Sequence, residues 1–128
     1  MKIFSLKENH LFSKTYMLGR KVVGKRIVLY VLPDKNAYLV KKKNPLKEKL
    51  NRVGITASKK IGGAVQRNRV KRIIREAYRR LEKENELKKG FLVVVSARTA
   101  ALYGKTEDVY KELLDAAERL DLIESKKL

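Results

Sequence analysis

The stretch from residue 58 to residue 80 constrains the fold more than any other part of this chain. It reads SKKIGGAVQRNRVKRIIREAYRR, and the pair Gly62-Gly63 suits a turn that leads into a helix. From Ala64 onward, apolar residues recur at spacings of three and four, which predicts one long helix with a buried stripe. The stripe consists of Val70, Ile73, Ile74, Ala77 and Leu81. One side of this helix must therefore pack against the core of the protein.

The other side of the predicted helix is strongly cationic. Residues 58–80 contain nine basic side chains and one acid, Glu76, which is a local charge of +8 within a net charge of +18 for the whole chain. A basic helical face is most often only a solvated surface, but such a face normally mixes both signs of charge. Here the acids are almost absent, so repulsion is left uncompensated within the protein. The pattern favours a polyanionic partner, because each bound phosphate displaces condensed counterions.

Composition excludes several other classes of protein. The 128 residues predict one domain, 1–128, with a single modest core. The chain has no cysteine and one histidine, His10, which excludes a disulfide framework, a thiolate metal site and a multi-histidine metal centre. No apolar run approaches the ~18–20 residues of a transmembrane helix, and the N-terminal residues do not resemble a secretory signal. We therefore expect a cytoplasmic protein whose partner is a nucleic acid.

The remaining patterns predict a small sheet and two further helices. In chain order we expect a helix ending near Leu18, a polar connection over 21–25, strands over 27–32, 37–40 and 50–57, the basic helix, a strand over 91–97 and a helix after Thr106. The lysine run at 41–43 predicts an exposed Lys-rich loop over 41–49, and the tail over 124–128 is expected to be frayed. The order α-β-β-β-α-β-α indicates an α+β sandwich with one small sheet of about four strands.

The strand expected over 50–57 has two different faces. Val53, Ile55 and Ala57 alternate with Gly54 and Thr56. Because successive side chains of a strand point to opposite faces, one face should be buried and the other small and open. An open face lined by small residues leaves room for a ligand.

The first and last helices carry simpler predictions about burial. Spacing places Leu11, Thr15 and Leu18 on a common core face of the first helix. Phe12 and Tyr16 lie four residues apart on an adjoining face, and the residues alone favour core packing for this aromatic pair. The core stripe expected for the last helix is Val109, Leu113, Ala116 and Leu120.

The motif SKKIGGAVQRNRVKR closely resembles the signature of the protein subunit of bacterial ribonuclease P. That family carries a Ser-Lys-Lys strand end, a Gly pair and an Arg-Asn-Arg-x-Lys-Arg helix, which here are 58–60, 62–63 and 67–72. The flanking segments agree with the family over about residues 5–120, although the segment 37–51 is longer and richer in lysine than expected. The resemblance implies a ribonuclease P protein-like sandwich of the ribosomal protein S5 domain 2 type.

The resemblance also implies a function. Ribonuclease P is a ribonucleoprotein endonuclease that removes the 5′ leader from precursor tRNA. In this family the RNA subunit carries out the Mg²⁺-assisted hydrolysis, while the protein binds that RNA and the leader. The expected partners are therefore the ribonuclease P RNA and precursor tRNA, with neither DNA nor a membrane. No catalytic residue and no metal-binding residue are expected in the protein itself.

Two sets of binding residues follow from the match to the family motif. Those expected to contact the catalytic RNA are Arg67, Asn68, Arg69, Lys71, Arg72 and Arg75. Those expected to hold the leader, between the first helix and the open sheet face, are Phe12, Tyr16, Tyr30, Ser58, Lys59, Lys60 and Arg98. Arginine suits the first set because its planar fork can pair with two phosphate oxygens. Aromatic rings suit the second because the bases of single-stranded RNA stack on them, and this role replaces core packing for the first-helix pair.

Other classes of function fit parts of the pattern. A ribosomal or general RNA-binding protein would be equally basic and equally free of catalytic groups. A helix-turn-helix DNA-binding protein could use residues 64–80 for recognition, but it needs a short helix just before Gly62, where the sequence alternates like a strand. A protein-only nuclease would want clustered carboxylates that hold Mg²⁺, and the acids here are scattered. A basic membrane-surface protein would want a long Lys-faced helix with exposed Trp or Phe, which the sequence lacks.

Overall fold

The structure, a computed structural model, describes Leu6, residues 9–34 and residues 51–126. Its elements, in chain order, are helix α1 (Asn9–Leu18), strands β1 (Arg20–Val23), β2 (Ile27–Pro33) and β3 (Arg52–Thr56), helix α2 (Ala64–Glu84), strands β4 (Asn85–Leu87) and β5 (Phe91–Ala97), a 3₁₀ helix (Thr99–Tyr103), helix α3 (Thr106–Arg119) and strand β6 (Ile123–Lys126). The predicted α+β class, with a sheet of four strands, is confirmed.

The sheet has the strand order β1-β2-β5-β3. Strand β2 pairs antiparallel with both β1 and β5, whereas β3 pairs parallel with β5. In the register, Tyr30 lies opposite Val94, and Val94 lies opposite Gly54 on its other side. Two residues further along the same pair of strands, Ser96 of β5 lies opposite Thr56 of β3. Since α2 and β4 connect the two parallel strands, the motif helix crosses over the sheet between β3 and β5.

Each face of the sheet buries its own apolar cluster. Alternate residues of β2 and β5 face α2 and α3 and form the main core: Ile27, Leu29, Val31, Val93 and Val95. The intervening strand residues Tyr30, Leu32, Leu92 and Val94 face α1. Together with Leu6, Leu11 and Phe12 they form a smaller cluster. The strand predicted over 27–32 is confirmed, and it is buried on one face and half-buried on the other.

Helix α2 packs on the main core through the apolar stripe that its spacing predicts. The five predicted residues are all buried, and Tyr78 joins them with no exposed surface. Full burial of one large apolar side chain contributes about 1.5–3 kcal/mol, whereas a like-charge pair one turn apart on a helix costs only a few tenths. The buried stripe therefore holds α2 in place against the mutual repulsion of its exposed cations. The four residues expected for the core stripe of α3 are buried as well.

The prediction of a polar connection over 21–25 is wrong, because β1 occupies Arg20–Val23. Val23 pairs with Val28, and the N–H of Gly24 donates to the carbonyl oxygen of Ile27 at 2.8 Å, which closes a hairpin. As an edge strand, β1 is held mainly by backbone pairing and leaves most side chains in water. It therefore lacks the alternation that marks a half-buried strand.

Two further predictions are corrected by the structure. Leu18 is 65% exposed, because α1 ends there and leaves the sheet, while Leu11 and Thr15 are buried as expected. The tail is ordered as far as residue 126, because β6 pairs with β4 and Leu122 and Ile123 pack against the main core. The strand expected over 37–40 and the loop expected over 41–49 lie outside the described residues.

Candidate nucleic-acid interface

The cationic side of α2 faces away from the sheet. Asn68, Arg69, Arg72 and Arg75 are exposed, and Arg67 and Lys71 are half-buried beside them. Within the described part of the chain, neither Arg72 nor Arg75 forms an ion pair. The predicted first set thus lies together on one exposed, positively charged surface, which we call the α2 face.

One member of this set also has a structural contact. The guanidinium of Arg69 donates from Nη1 to the backbone carbonyl oxygen of Leu102 at 3.0 Å. Leu102 belongs to the 3₁₀ helix, in which Ala101 is buried. The N–H of Ala101 donates to the carbonyl oxygen of Arg98, and the N–H of Gly104 donates to that of Ala101. Arg69 therefore joins the motif helix to the segment that follows β5, in addition to adding charge to the α2 face.

Arg80 differs from the other cations of the helix because it is engaged within the protein. Its guanidinium pairs with Glu84 and Glu107, and it lies 3.9 Å from the ring centroid of Tyr110. The hydrogen bond to Glu107 raises the pKa of the Arg80 guanidinium above its usual value. Arg80 thus ties α2 to α3, and it does not belong to the α2 face.

The Ser58-Lys59-Lys60 segment forms the turn between β3 and α2. The N–H of Ile61 donates to the carbonyl oxygen of Ser58 at 3.0 Å, and Ile61 is buried in the main core. Gly62 follows with φ +147°, a conformation that residues with a Cβ rarely adopt. The turn is thereby anchored while its two lysines stay exposed. It begins at the sheet and ends at the start of the α2 face, so it adjoins both predicted surfaces.

The aromatic residues of the second set meet on the sheet face that α1 covers. Tyr16 and Tyr30 pack edge to face, with ring centroids 4.9 Å apart. Tyr16 is 38% exposed, so core packing is not its role, whereas Phe12 and Tyr30 are half-buried against the small cluster. We call the open part of this face, where the Tyr16 hydroxyl meets Thr56 and Ser96, the α1 cleft.

Phe12 owes its position to the glycine beneath it. A Cβ atom added to Gly54 would lie 2.4 Å from Cε1 of Phe12, far inside van der Waals contact. The absence of a side chain at this point of β3 therefore lets the ring approach the strand closely. The open face predicted around Gly54 is therefore closed at Gly54 itself, which is buried beneath Phe12, and only Thr56 further along β3 is partly exposed.

Two hydroxyl groups that the sequence did not single out complete the α1 cleft. The phenol oxygen of Tyr16 lies 3.0 Å from Oγ1 of Thr56 and 3.2 Å from Oγ of Ser96, and these two oxygens are 2.8 Å apart. Three hydroxyls can satisfy each other's donors and still have free lone pairs, which can accept hydrogen bonds from a ligand. In the sequence, Ser96 signals a polar spot on the sheet because it interrupts the apolar run of β5.

Arg98 and Ser58 lie at the same edge of the sheet, because each follows the end of one of two parallel, paired strands. The guanidinium of Arg98 donates to the carbonyl oxygen of Gly24 at 2.5 Å, which ties it to the β1–β2 turn. Arg98 is nevertheless exposed, and it follows Ser96 by two residues at the end of β5. The structure thus brings the second predicted set together around one cleft and its edge.

Features of the described residues also bear on a metal site, a membrane span and a helix-turn-helix motif. No three of their His, Asp or Glu side chains form a group that could hold a metal ion. None of the helices found there is long and apolar enough to span a membrane. The segment just before the motif helix contains strand β3 and a turn, so the short helix that a helix-turn-helix motif requires is not there.

Comparisons with known proteins point in one direction. A family model described as Ribonuclease P matches residues 2–121. The ribonuclease P protein component of Clostridioides difficile is 35% identical over 117 residues, which cover 91% of this chain and 91% of that protein. The protein component of Clostridium acetobutylicum is 39% identical over 120 residues, with 91% of each chain covered. The solved structure of the Staphylococcus aureus RNase P protein matches with a TM-score of 0.72 and 26% identity, covering 94% of this chain and 98% of that one.

Proposed function

The chain belongs to the ribonuclease P protein family, and from that premise we propose that it binds the catalytic RNA of ribonuclease P and the 5′ leader of precursor tRNA. The RNA subunit with its Mg²⁺ hydrolyses the phosphodiester bond, and no residue of the protein is assigned a catalytic role. The particle acts in the cytoplasm, where it produces the mature 5′ ends of tRNA. The observation that carries the proposal is the α2 face, in which the motif residues form an exposed cationic surface.

The α2 face is the surface proposed for the RNA subunit. What supports it is the number of cations that remain available to a partner: Arg72 and Arg75 are exposed without ion pairs in the described part of the chain, and Asn68 is exposed between them and the helix start. A folded RNA presents closely spaced phosphates, and an arginine fork can pair with two of their oxygens. Binding would also relieve the repulsion among these side chains, and it should weaken steeply with salt.

The α1 cleft is the surface proposed for the leader. Support comes from the combination of a partly exposed tyrosine ring and three hydroxyls that can still accept hydrogen bonds. A single-stranded segment needs such a platform, because unpaired bases stack on aromatic rings while lysines attract the backbone. Lys59 and Lys60 at the adjoining turn, and Arg98 at the end of β5, supply the positive charge.

A competition experiment tests the proposal against a general RNA-binding role. The affinity of the purified protein is measured for a bacterial ribonuclease P RNA and for a fragment of ribosomal RNA of equal length, at the same moderate salt. We expect a clear preference for the ribonuclease P RNA, with one protein bound per RNA. Equal affinity for both RNAs, or preference for the ribosomal fragment, would favour the rival function and overturn the proposal.

A further inference from the structure

An exposed aromatic side chain lies beside the α2 face and is not part of either surface described so far. Tyr103, the last residue of the 3₁₀ helix, is 85% exposed. The residue before it, Leu102, accepts the hydrogen bond from Arg69 that joins this segment to α2. Val65, one helical turn before Arg69, is also exposed. Tyr103 therefore lies where the motif helix meets the 3₁₀ helix.

The backbone that carries Tyr103 is fixed on both sides. Ala101 is buried, and Leu102 packs against the main core. After the tyrosine, the N–H of Gly104 donates to the carbonyl oxygen of Ala101 at 3.2 Å. A Cβ atom at Gly104 would lie 2.7 Å from Cδ of Arg26, so the chain passes closely under that side chain. Because this backbone is already ordered, only the two side-chain torsions of the tyrosine lose freedom when the ring binds, which favours its use as a stacking platform.

Tyr103 adjoins the cations of the α2 face through the bond between Arg69 and Leu102. The acidic side chains of this region are engaged within the protein: Glu76 with Thr106, Glu107 with Arg80, Asp108 with the backbone N–H of Lys105, and Glu112 with Arg26. The hydrogen bond from the backbone N–H of Lys105 also lowers the pKa of the Asp108 carboxyl. The exposed cations of the α2 face have no such partners in the described residues, so a polyanion is the ligand that this region would attract.

A single exposed aromatic is common on protein surfaces and by itself indicates nothing. Here an exposed ring on an ordered backbone stands next to a cationic face that is proposed to bind RNA. We propose that Tyr103 stacks on an unpaired base of the RNA that the α2 face binds. The inference rests on the function proposed above, with ribonuclease P RNA as that ligand. The arginines would hold the flanking phosphates, and the ring would supply attraction that does not depend on charge.

The first test compares Tyr103→Ala with Tyr103→Phe in binding to a bacterial ribonuclease P RNA. One base stacked on an aromatic ring corresponds to a loss of about 5- to 160-fold on truncation. We expect that loss for the alanine variant and almost none for the phenylalanine variant, which keeps the ring. The slope of log affinity against log salt should stay unchanged in both, because no phosphate contact is removed. Met17→Ala, which truncates a side chain of similar exposure at the end of α1, serves as the control and should bind normally.

The second test uses fluorescence. The chain contains no tryptophan, so Tyr103→Trp places a single indole at this position. Stacking on a base should quench its emission when ribonuclease P RNA is added, whereas the indole of Met17→Trp should respond little. No quenching at Tyr103→Trp, together with unchanged affinity of Tyr103→Ala, would overturn the inference.

The two proposals can fail separately. If Arg72→Ala weakens binding of the ribonuclease P RNA while Tyr103→Ala does not, the proposed function stands and the stacking role is wrong. If the unmodified protein shows no preference for this RNA, both are wrong. If Tyr103→Ala and Tyr103→Phe weaken binding equally, the hydroxyl rather than the ring makes the contact, and stacking is again refuted.

Discussion

The ring of Tyr16 meets the ring of Tyr30 edge to face, with centroids 4.9 Å apart and an angle of 84° between the planes. Tyr16 extends from α1 and Tyr30 from β2, so the contact spans the helix and the sheet on which it packs. The Tyr16 hydroxyl reaches further, to Thr56 and Ser96 on two more strands. This one side chain therefore joins three strands to the helix while more than a third of it stays exposed.

Truncation of this side chain should act on the substrate and not on assembly of the particle. In the assembled enzyme, Tyr16→Ala is expected to reduce the affinity for precursor tRNA by roughly 1–3 kcal/mol, because one base loses its stacking platform. The affinity for mature tRNA, which has no leader, should barely change. Both affinities are measured with the same preparation.

Tyr16→Phe is the matched control, because it keeps the ring and removes only the hydroxyl. We expect it to retain most of the preference for precursor over mature tRNA. Parallel losses for both tRNAs in Tyr16→Ala, together with a much lower melting temperature, would mean that the residue is structural and that the leader assignment is wrong.

Gly54 should not tolerate even the smallest side chain. The added Cβ of Gly54→Ala would displace the ring of Phe12, and overpacking of this kind typically costs about 1–3 kcal/mol of unfolding free energy. Denaturant unfolding gives the loss. In a Phe12→Leu background the same substitution should cost clearly less, because the clashing ring has been removed. An equal cost in both backgrounds would show that the ring is not the cause.

Arg72 and Arg69 should differ in what they contribute. Arg72→Ala is expected to weaken binding of the ribonuclease P RNA about tenfold, to lower the salt slope by about one and to leave the melting temperature unchanged. Arg69→Ala should weaken binding as well, but it should also lower the melting temperature slightly because the bond to Leu102 is lost. Binding of Arg72→Ala equal to that of the unmodified protein at moderate salt would remove this residue from the interface.

Arg80 should affect folding more than RNA binding. Arg80→Ala removes the ion pairs with Glu84 and Glu107 and the contact with the Tyr110 ring, so the melting temperature should fall by a few degrees. Arg79→Ala, which removes an exposed charge from the neighbouring position, is the control and should melt normally. A larger loss of RNA affinity in Arg80→Ala than in Arg72→Ala would contradict this division.

The sequence predicts best those parts of the fold that have a strong period. The stripe of α2 was identifiable because its buried residues recur with the helical period of 3.6. Strand β2 was identifiable as an almost wholly apolar run whose burial alternates, and β5 as an apolar run that is buried continuously. The short edge strand β1 and the terminal strand β6 have no such signal, since backbone pairing and only a few buried side chains hold them. Their partners are determined by tertiary contacts, and local propensity does not show them.

The candidate site was predicted in a similarly uneven way. The motif gave the cations of the α2 face and the aromatic residues of the α1 cleft by position. It did not show that Arg69 binds Leu102 or that Arg80 belongs to the contact between helices, because such contacts join residues about thirty positions apart. Thr56 was placed on the open face of its strand without a role, and Ser96 was missed, since a single hydroxyl in a strand gains its meaning only from its neighbour across the sheet.

Cleavage of a precursor tRNA at low Mg²⁺ tests the assignment to ribonuclease P most directly. The purified protein, a bacterial ribonuclease P RNA and the two together are incubated with the same substrate, and the 5′ product is measured. We predict cleavage at the mature 5′ end by the combination, much slower cleavage by the RNA alone, and none by the protein alone. Mg²⁺-dependent cleavage by the RNA-free protein, or a combination no faster than the RNA alone, would contradict the assignment.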